Sequence, residues 1–82
     1  MLANDMKKGQ VGRLRYTGWD FRIEDNMKGV TRVATVWGFA EDVGSIYIKD
    51  IDYLIDENGN AIPIEFSPAQ EKQNKKIEAF GF

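Results

Sequence analysis

The side chains of this chain that could do acid–base chemistry or bind a cation are carboxylates. Asp and Glu number 13 against 11 Lys and Arg, and the formal net charge is −2. His and Cys are both absent, which removes the commonest general base near neutral pH, the commonest zinc ligand and any thiolate nucleophile. A Ser-His-Asp or Cys-His arrangement cannot be assembled from such a composition. The sequence therefore argues against an enzyme and predicts no catalytic residue and no cofactor.

Carboxylates are concentrated in the second half of the chain. A pair of carboxylates does acid–base chemistry when burial and neighbours push their two pKa values apart. Asp50 and Asp52 alternate with apolar residues, and we expect them to face solvent. The interpretation that we prefer is a solvated acidic surface that also discourages pairing at a sheet edge. The carboxylates concerned are Asp50, Asp52, Asp56, Glu57 and Glu65.

The segment DENGN, residues 56–60, has oxygen-bearing side chains at the spacing of a calcium loop. A helix–loop–helix calcium site needs Gly at its sixth position and Glu at its twelfth. Those positions hold Ala61 and Ser67 here. Asn58-Gly59 instead supplies the positive φ that a tight hairpin needs. We expect a hairpin loop and no metal site.

Basic residues and aromatic residues are both frequent in the first part of the chain. Residues 1–32 carry a net charge of +3, residues 33–66 carry −6 and residues 67–82 carry +1. This uneven distribution can orient a partner. Arginines beside aromatic rings could also bind single-stranded nucleic acid, although the alternation places most of the arginines opposite the aromatic residues. The nucleic-acid candidates are Arg13, Arg15, Arg22, Arg32 and Trp37.

Alternating apolar residues predict a mainly β protein. Trp19, Phe21 and Ile23 give the clearest two-residue period. The apolar phase reverses at Lys49-Asp50, which requires either a bulge or a short turn between two strands. Trp37 is in phase with Val33 and is expected in the core. We predict strands at residues 10–16, 19–24, 30–39 and 61–66, a bent strand element at 45–56, and a turn at 40–44.

The two ends of the chain are predicted to differ, with a flexible N-terminal segment and a helical C-terminal segment. Residues 1–8 are expected to form a flexible arm. Ser67 can cap a helix at residues 68–80, with Pro68 at its first position and Gln70 completing a capping box. The helix either plugs its own sheet or docks on another chain.

These elements predict one domain over residues 1–82. Its expected fold is a small, strongly bent antiparallel sheet, or an SH3-like or OB-like barrel, of about five strands with one C-terminal α-helix. The segment KKGQVGRLR, residues 7–15, resembles the first strand of many SH3-like barrels. This short likeness assigns no family.

The predicted function is that of a non-catalytic protein-interaction module or small accessory subunit. A single-stranded nucleic-acid-binding barrel is the alternative. No apolar run approaches the roughly 18 residues that a membrane helix needs, and a cytoplasmic location is expected. A protein partner or self-association, as a homo-oligomer, is the expected mode of action. The candidates for partner binding are Tyr47, Ile77, Phe80 and Phe82.

Overall fold

A computed structural model describes residues 1–25 and 28–80 of the chain. The described residues form six strands and one α-helix, with two single 3₁₀ turns at Ala3–Asp5 and Ile48–Asp50. The predicted mainly β fold with a C-terminal helix is confirmed. The strands are β1 (Val11–Leu14), β2 (Asp20–Ile23), β3 (Thr31–Trp37), β4 (Glu41–Tyr47), β5 (Ile51–Ile55) and β6 (Ala61–Pro63), and the helix is α1 (Pro68–Ala79).

All six strands belong to one antiparallel sheet in the order β4-β3-β2-β1-β5-β6. The first four strands follow one another as a meander, and β5 returns to pair with β1. The sheet is not closed, because β4 and β6 stand at its two ends. The closed barrel that we gave as one of two architectures is therefore not confirmed.

One face of the sheet carries the apolar core. Phe21 and Ile23 of β2 are fully buried, as the two-residue period predicted. On β3 the buried phase contains Ala34, and Trp37 lies on the opposite, outer face. The expectation that Trp37 belongs to the core was wrong, since 36% of its surface is exposed.

The reversal of apolar phase at Lys49-Asp50 is a break between two strands. A 3₁₀ turn, Ile48–Asp50, separates β4 from β5, which is the second of the two devices that the sequence allowed. Ile48, the first residue of the turn, and Ile51, which follows it, are both fully buried. The predicted turn at residues 40–44 was wrong, because strand β4 begins at Glu41.

Close backbone packing explains the glycine in β1. A Cβ atom at Gly12 would lie 2.3 Å from the Tyr53 carbonyl oxygen and 3.0 Å from the Leu54 Cα atom. Strands β1 and β5 can therefore meet at this point because residue 12 has no side chain. The β1–β5 register shifts between Arg13 and Leu14.

The segment predicted as a flexible arm packs against the sheet. Ala3 and Met6 are fully buried and belong to the core cluster. Leu2 forms a bridge with Glu65, and the Ala3 N–H donates to the Glu65 carbonyl oxygen at 2.8 Å. Residues 1–6 are thus part of the folded domain.

Helix α1 begins as predicted. Ser67 accepts a hydrogen bond from the Gln70 N–H, and the Gln70 side chain accepts one from the Ser67 N–H. Its buried residues are Gln70 and Asn74, whereas Ala69 is exposed. The helix therefore packs through polar side chains. Within the described residues, no helix is long and apolar enough to cross a membrane.

Candidate functional site

An apolar cleft of about 380 Å³ lies where the core face of the sheet is left uncovered. Strands β1, β3 and β4 supply side chains to it, and the turns before β2 and after β3 supply the aromatic ones. Asp42 also lines the cleft. We call this site the apolar cleft. The apolar residues that line it are Leu14, Trp19, Val36, Phe39, Ala40 and Ile46.

Two aromatic rings form the mouth of the apolar cleft. The ring centroids of Trp19 and Phe39 are 5.3 Å apart, and the planes meet at 76° in an edge-to-face contact. Trp19 lies against the backbone of Gly38, where a Cβ atom would come within 2.6 Å of the indole. Phe39 is fully exposed. An exposed ring held beside a half-buried one offers a fixed apolar contact for another molecule.

The sequence did not single out the apolar cleft. It placed Trp19 in the strand predicted at residues 19–24 and Phe39 at the end of the strand predicted at residues 30–39. The available signal was Gly38, which ends the strand and turns Phe39 out of phase. Sequence alternation cannot report which part of a core face is left uncovered, since that depends on where α1 and residues 1–6 pack.

Three of the nucleic-acid candidates share the outer face of the sheet. The Arg22 guanidinium lies 5.4 Å from the centroid of the Trp37 ring. Arg13 lies on β1, where it pairs with Asp20 of β2, and Asp20 in turn pairs with Trp37. The expectation that arginines and aromatics would occupy separate faces was therefore wrong for Arg22 and Trp37.

Both exposed arginines of this face already have carboxylate partners. Arg13 Nε lies 3.2 Å from Asp20 Oδ1, and Arg22 Nη2 lies 2.8 Å from Glu24 Oε2. Hydrogen bonds from Thr35 Oγ1 and from Arg22 lower the pKa of Glu24. Phosphate groups would have to compete with these carboxylates for the guanidinium groups.

The other two arginines lie elsewhere. Arg15 lines a different cleft, of about 410 Å³, beside α1, where Lys75 and Glu78 give a mixture of charges. Arg32 is fully buried, so its proposed contact with nucleic acid is corrected here: the guanidinium is not on the surface. Arg32 shares the phase of Ala34 on β3, and the structure places this phase, not that of Val33 and Trp37, on the core face.

Arg32 connects three parts of the fold. Its Nη1 donates to the carbonyl oxygens of Gly29 (3.1 Å) and Thr31 (2.6 Å). Its Nη2 donates to the carbonyl oxygen of Ala3 and to Oδ1 of Asn4, both at 3.2 Å. Burial lowers the pKa of Arg32, and Nε has no partner within the described part of the chain.

Gln70 extends this polar cluster to the helix. Its Nε2 donates to Asn4 Oδ1 (2.8 Å) and to the Gly29 carbonyl oxygen (3.0 Å). Asn4 Oδ1 therefore accepts from both Arg32 and Gln70. We call Asn4, Arg32, Gln70 and the Gly29 carbonyl the Arg32 cluster, and its contacts are structural.

The partner-binding candidates lie on two different elements. Tyr47 ends β4, is half-buried, and has Lys49 Nζ 5.7 Å from its ring centroid. Ile77 is half-buried on α1, and Phe80 at the helix end is 74% exposed. Phe82 lies outside the described residues. Tyr47 is thus the one candidate that the sheet itself presents.

The carboxylates of the second half have structural contacts. Asp56 Oδ1 accepts from the backbone N–H groups of Asn60 (2.8 Å) and Asn58 (2.9 Å), which lowers the pKa of Asp56. Asp50 accepts from Lys49 Nζ at 2.8 Å, and this bond raises the pKa of Lys49. Over residues 1–25 and 28–80, no group of three or more acidic side chains is placed to hold a metal ion.

The chain matches no protein-family model, and comparison with curated proteins and with solved structures finds no significant similarity.

Proposed function

We propose that this protein is a non-catalytic interaction module or small accessory subunit that receives an apolar segment of a protein partner in the apolar cleft. The observation that carries the proposal is the uncovered continuation of the core face beside the exposed Phe39 ring. In proteins of this size large aromatic side chains are needed inside. A fully exposed Phe next to a half-buried Trp therefore leaves apolar surface in contact with water in the free chain. Binding of a partner would bury this surface.

Charge supports a partner with a basic flank. Asp42 lines the apolar cleft, and Glu41 precedes it on the exposed strand β4. Glu41 Oε1 also accepts from Trp37 Nε1 at 2.8 Å. A segment with one bulky apolar side chain and a neighbouring Lys or Arg would fit both the apolar lining and Asp42, whereas Glu41 is bonded to Trp37 on the outer face.

Affinity capture with matched variants tests the proposal. Phe39→Ser removes the exposed ring and is expected to abolish recovery of the partner. Its unfolding free energy should change by less than about 1 kcal/mol, because the ring is exposed and contributes one aromatic contact. Tyr16→Ser is the control, since Tyr16 is 91% exposed and lies outside the apolar cleft. Equal recovery by wild type and Phe39→Ser would contradict the proposal.

Tryptophan fluorescence gives a second readout with purified components. In Trp37→Phe the remaining indole is Trp19, at the mouth of the cleft; in Trp19→Phe it is Trp37, on the outer face. Peptides that carry an apolar anchor beside a basic residue should shift the emission of the first variant and leave that of the second unchanged. A shift in Trp37 emission alone would place binding on the outer face.

Single-stranded nucleic-acid binding is the second candidate, favoured by the Arg22 guanidinium stacked on Trp37 beside Arg13. The expected ligand is a short single strand whose bases stack on Trp37 while its phosphates contact the arginines. Fluorescence anisotropy with a labelled oligonucleotide at low salt tests it. Arg22→Gln should then weaken binding, and Arg15→Gln, away from this face, should not. An absence of binding at low salt would eliminate this candidate.

A further inference from the structure

The outer side of strand β4 is a row of backbone groups that no described residue pairs with. β4 stands at one end of the sheet and pairs with β3 over seven residues. The Ile48 N–H donates to the Val30 carbonyl oxygen at 2.9 Å, in continuation of that register. Successive residues of an antiparallel strand point their N–H and C=O groups to alternate sides. The backbone groups of the even-numbered residues of β4 therefore point toward β3, and those of the odd-numbered residues point away from the sheet. The residues that face outward are Glu41, Val43, Ser45 and Tyr47.

The opposite end of the sheet is partly covered. The Met1 nitrogen donates to the Pro63 carbonyl oxygen (3.1 Å), and the Glu65 N–H donates to the Met1 carbonyl oxygen (2.7 Å). Pro63 has no N–H to leave unpaired. The N-terminal segment therefore covers the edge of β6 at Pro63 and continues along Glu65. No described segment covers the edge of β4 in the same way.

Apart from the two acids at its beginning, strand β4 lacks the features that usually protect an edge. It contains no Pro and no Lys, and its register with β3 is unbroken. Gly44 at its centre has no positive φ, and a Cβ atom there would meet nothing within 4 Å. No contact among the described residues requires this glycine, although glycine weakens a strand. Close approach of a second backbone would account for it.

We propose that two copies of this chain pair antiparallel through β4, about a two-fold axis at Gly44. In this register Val43 lies opposite Ser45 of the second copy, and Glu41 lies opposite Tyr47 of the second copy. All four outward-facing residues of each strand then exchange backbone hydrogen bonds. The two Gly44 residues meet at a non-hydrogen-bonded position, where the Cα atoms approach most closely.

Charge favours this pairing. The acids of β4 are Glu41 and Asp42, both at its beginning. Antiparallel pairing about Gly44 places them opposite Tyr47 and Ile46 of the second copy, so no two acids face each other directly. Lys49 lies over the Tyr47 ring, and it would therefore come close to Glu41 of the second copy. Each end of the paired strands then brings Glu41 of one copy near Lys49 of the other, where Lys49 is also bonded to Asp50 of its own chain.

The side chains of β4 on the face of the sheet opposite the core also fit the proposed pairing. Val43 is 69% exposed in the single chain. In the paired strands it lies opposite Ser45 of the second copy and diagonal to Val43 and Tyr47 of that copy, within reach of an aromatic ring. Pairing thus covers an exposed valine and the tyrosine that the sequence already indicated as a partner contact.

Analytical ultracentrifugation from micromolar to millimolar concentration tests the pairing. Wild type should approach twice the chain mass of 9.4 kDa as concentration rises. Val43→Pro removes an outward N–H and no bond to β3, so the fold should persist. Loss of that bond in both copies should raise the dissociation constant at least about tenfold. A wild type that stays at the single-chain mass at millimolar concentration would overturn the proposal.

Val43→Lys is a second variant, and unlike Val43→Pro it keeps the backbone N–H of residue 43. It should also weaken pairing, because two lysines would meet near the axis. Val11→Lys is the matched control: Val11 is 40% exposed but lies on the interior strand β1, and this variant should pair like wild type. Equal pairing by Val43→Lys and Val11→Lys would exclude β4 as the interface.

Amide hydrogen exchange locates the contact. The N–H groups of Val43 and Ser45 should exchange quickly in dilute solution and slowly at high concentration, whereas that of Gly44 is protected by β3 in both. Pairing does not depend on the apolar cleft, so Phe39→Ser should pair normally. Failure of partner capture and failure of self-pairing are therefore separate results. If a dimer forms and the Val43 N–H exchanges equally fast in dilute and concentrated samples, the interface does not include β4.

Discussion

Arg32 holds its guanidinium inside the protein among carbonyl oxygens. Five N–H groups in a rigid fork let one side chain reach Gly29, Thr31, Ala3 and Asn4 at once. In the described part of the chain no carboxylate forms an ion pair with it. The hydrogen bonds must therefore compensate for its desolvation, and the residue fixes geometry more than it adds stability.

Arg32→Lys is expected to lower the unfolding free energy by about 2 kcal/mol, because a single ammonium group cannot serve all four acceptors and at least one buried carbonyl loses its donor. Urea denaturation measures the change. Arg13→Lys is the matched control at an exposed salt bridge, and its cost should stay below about 1 kcal/mol. Equal costs for the two substitutions would show that the Arg32 cluster is not a buried network.

Glu24 makes the fold sensitive to acid. Thr35 Oγ1 and Arg22 bind its carboxylate and lower its pKa in the folded state below the usual 4.5. A lowered pKa contributes stability above the unfolded-state pKa, and this is lost as the pH falls through the folded-state value. Glu24→Gln should thus be less stable than wild type near pH 7, and the difference should vanish in strong acid. Denaturation at several pH values measures this. Glu57→Gln, exposed in the hairpin turn, is the control and should stay close to wild type throughout.

At the scale of the elements, replacing each of two strand glycines by Ala is expected to change the unfolding free energy in opposite directions. Gly12→Ala would place a Cβ atom 2.3 Å from the Tyr53 carbonyl oxygen, so β1 and β5 must separate. We expect a loss of roughly 2–3 kcal/mol in unfolding free energy, as for overpacked core sites. Gly44→Ala meets open space and should stabilise the single chain by about 0.5–1 kcal/mol. Thermal unfolding of dilute samples separates the two. A stable Gly12→Ala would mean that β1 and β5 can be displaced at little cost.

Local sequence signals predicted the elements whose causes are local. The alternation in β2, the Asn58-Gly59 hairpin and the Ser67 capping box all act within a few residues, and all are present. The first part of strand β4, residues 41–44, was missed because Glu41, Asp42 and Gly44 have low strand propensity and pair with β3 on one side alone. The packing of residues 1–6 could not be predicted, since Ala3 and Met6 acquire their neighbours from distant parts of the chain. The apolar cleft was missed for the same reason.

The molecule as a whole depends on its N-terminal segment. Ala3 and Met6 enter the core, Asn4 joins the Arg32 cluster, and Met1 and Ala3 cover the edge of β6. In a chain of 82 residues the core is small, and each buried side chain is a large share of its stability.

Met6→Ala is expected to lower the unfolding free energy by about 2–4 kcal/mol, because it leaves a cavity beneath the sheet. Met6→Leu, which nearly conserves volume, should cost less than about 1.5 kcal/mol. Chemical denaturation of both variants measures the difference. Equal stability of wild type and Met6→Ala would show that residues 1–8 behave as the loose arm that the sequence first indicated.

The N-terminal cover over the edge of β6 limits how many copies can join. A chain with two free edges can add a neighbour at each and grow without end, as fibrils do. Among the described residues β4 is uncovered over seven residues, whereas Met1 and the missing N–H of Pro63 leave little of the three-residue edge of β6 to pair, so strand pairing stops after one addition. A truncation that begins at Asn4 would reopen the second edge. The N-terminal segment would then be what separates a pair of molecules from a polymer.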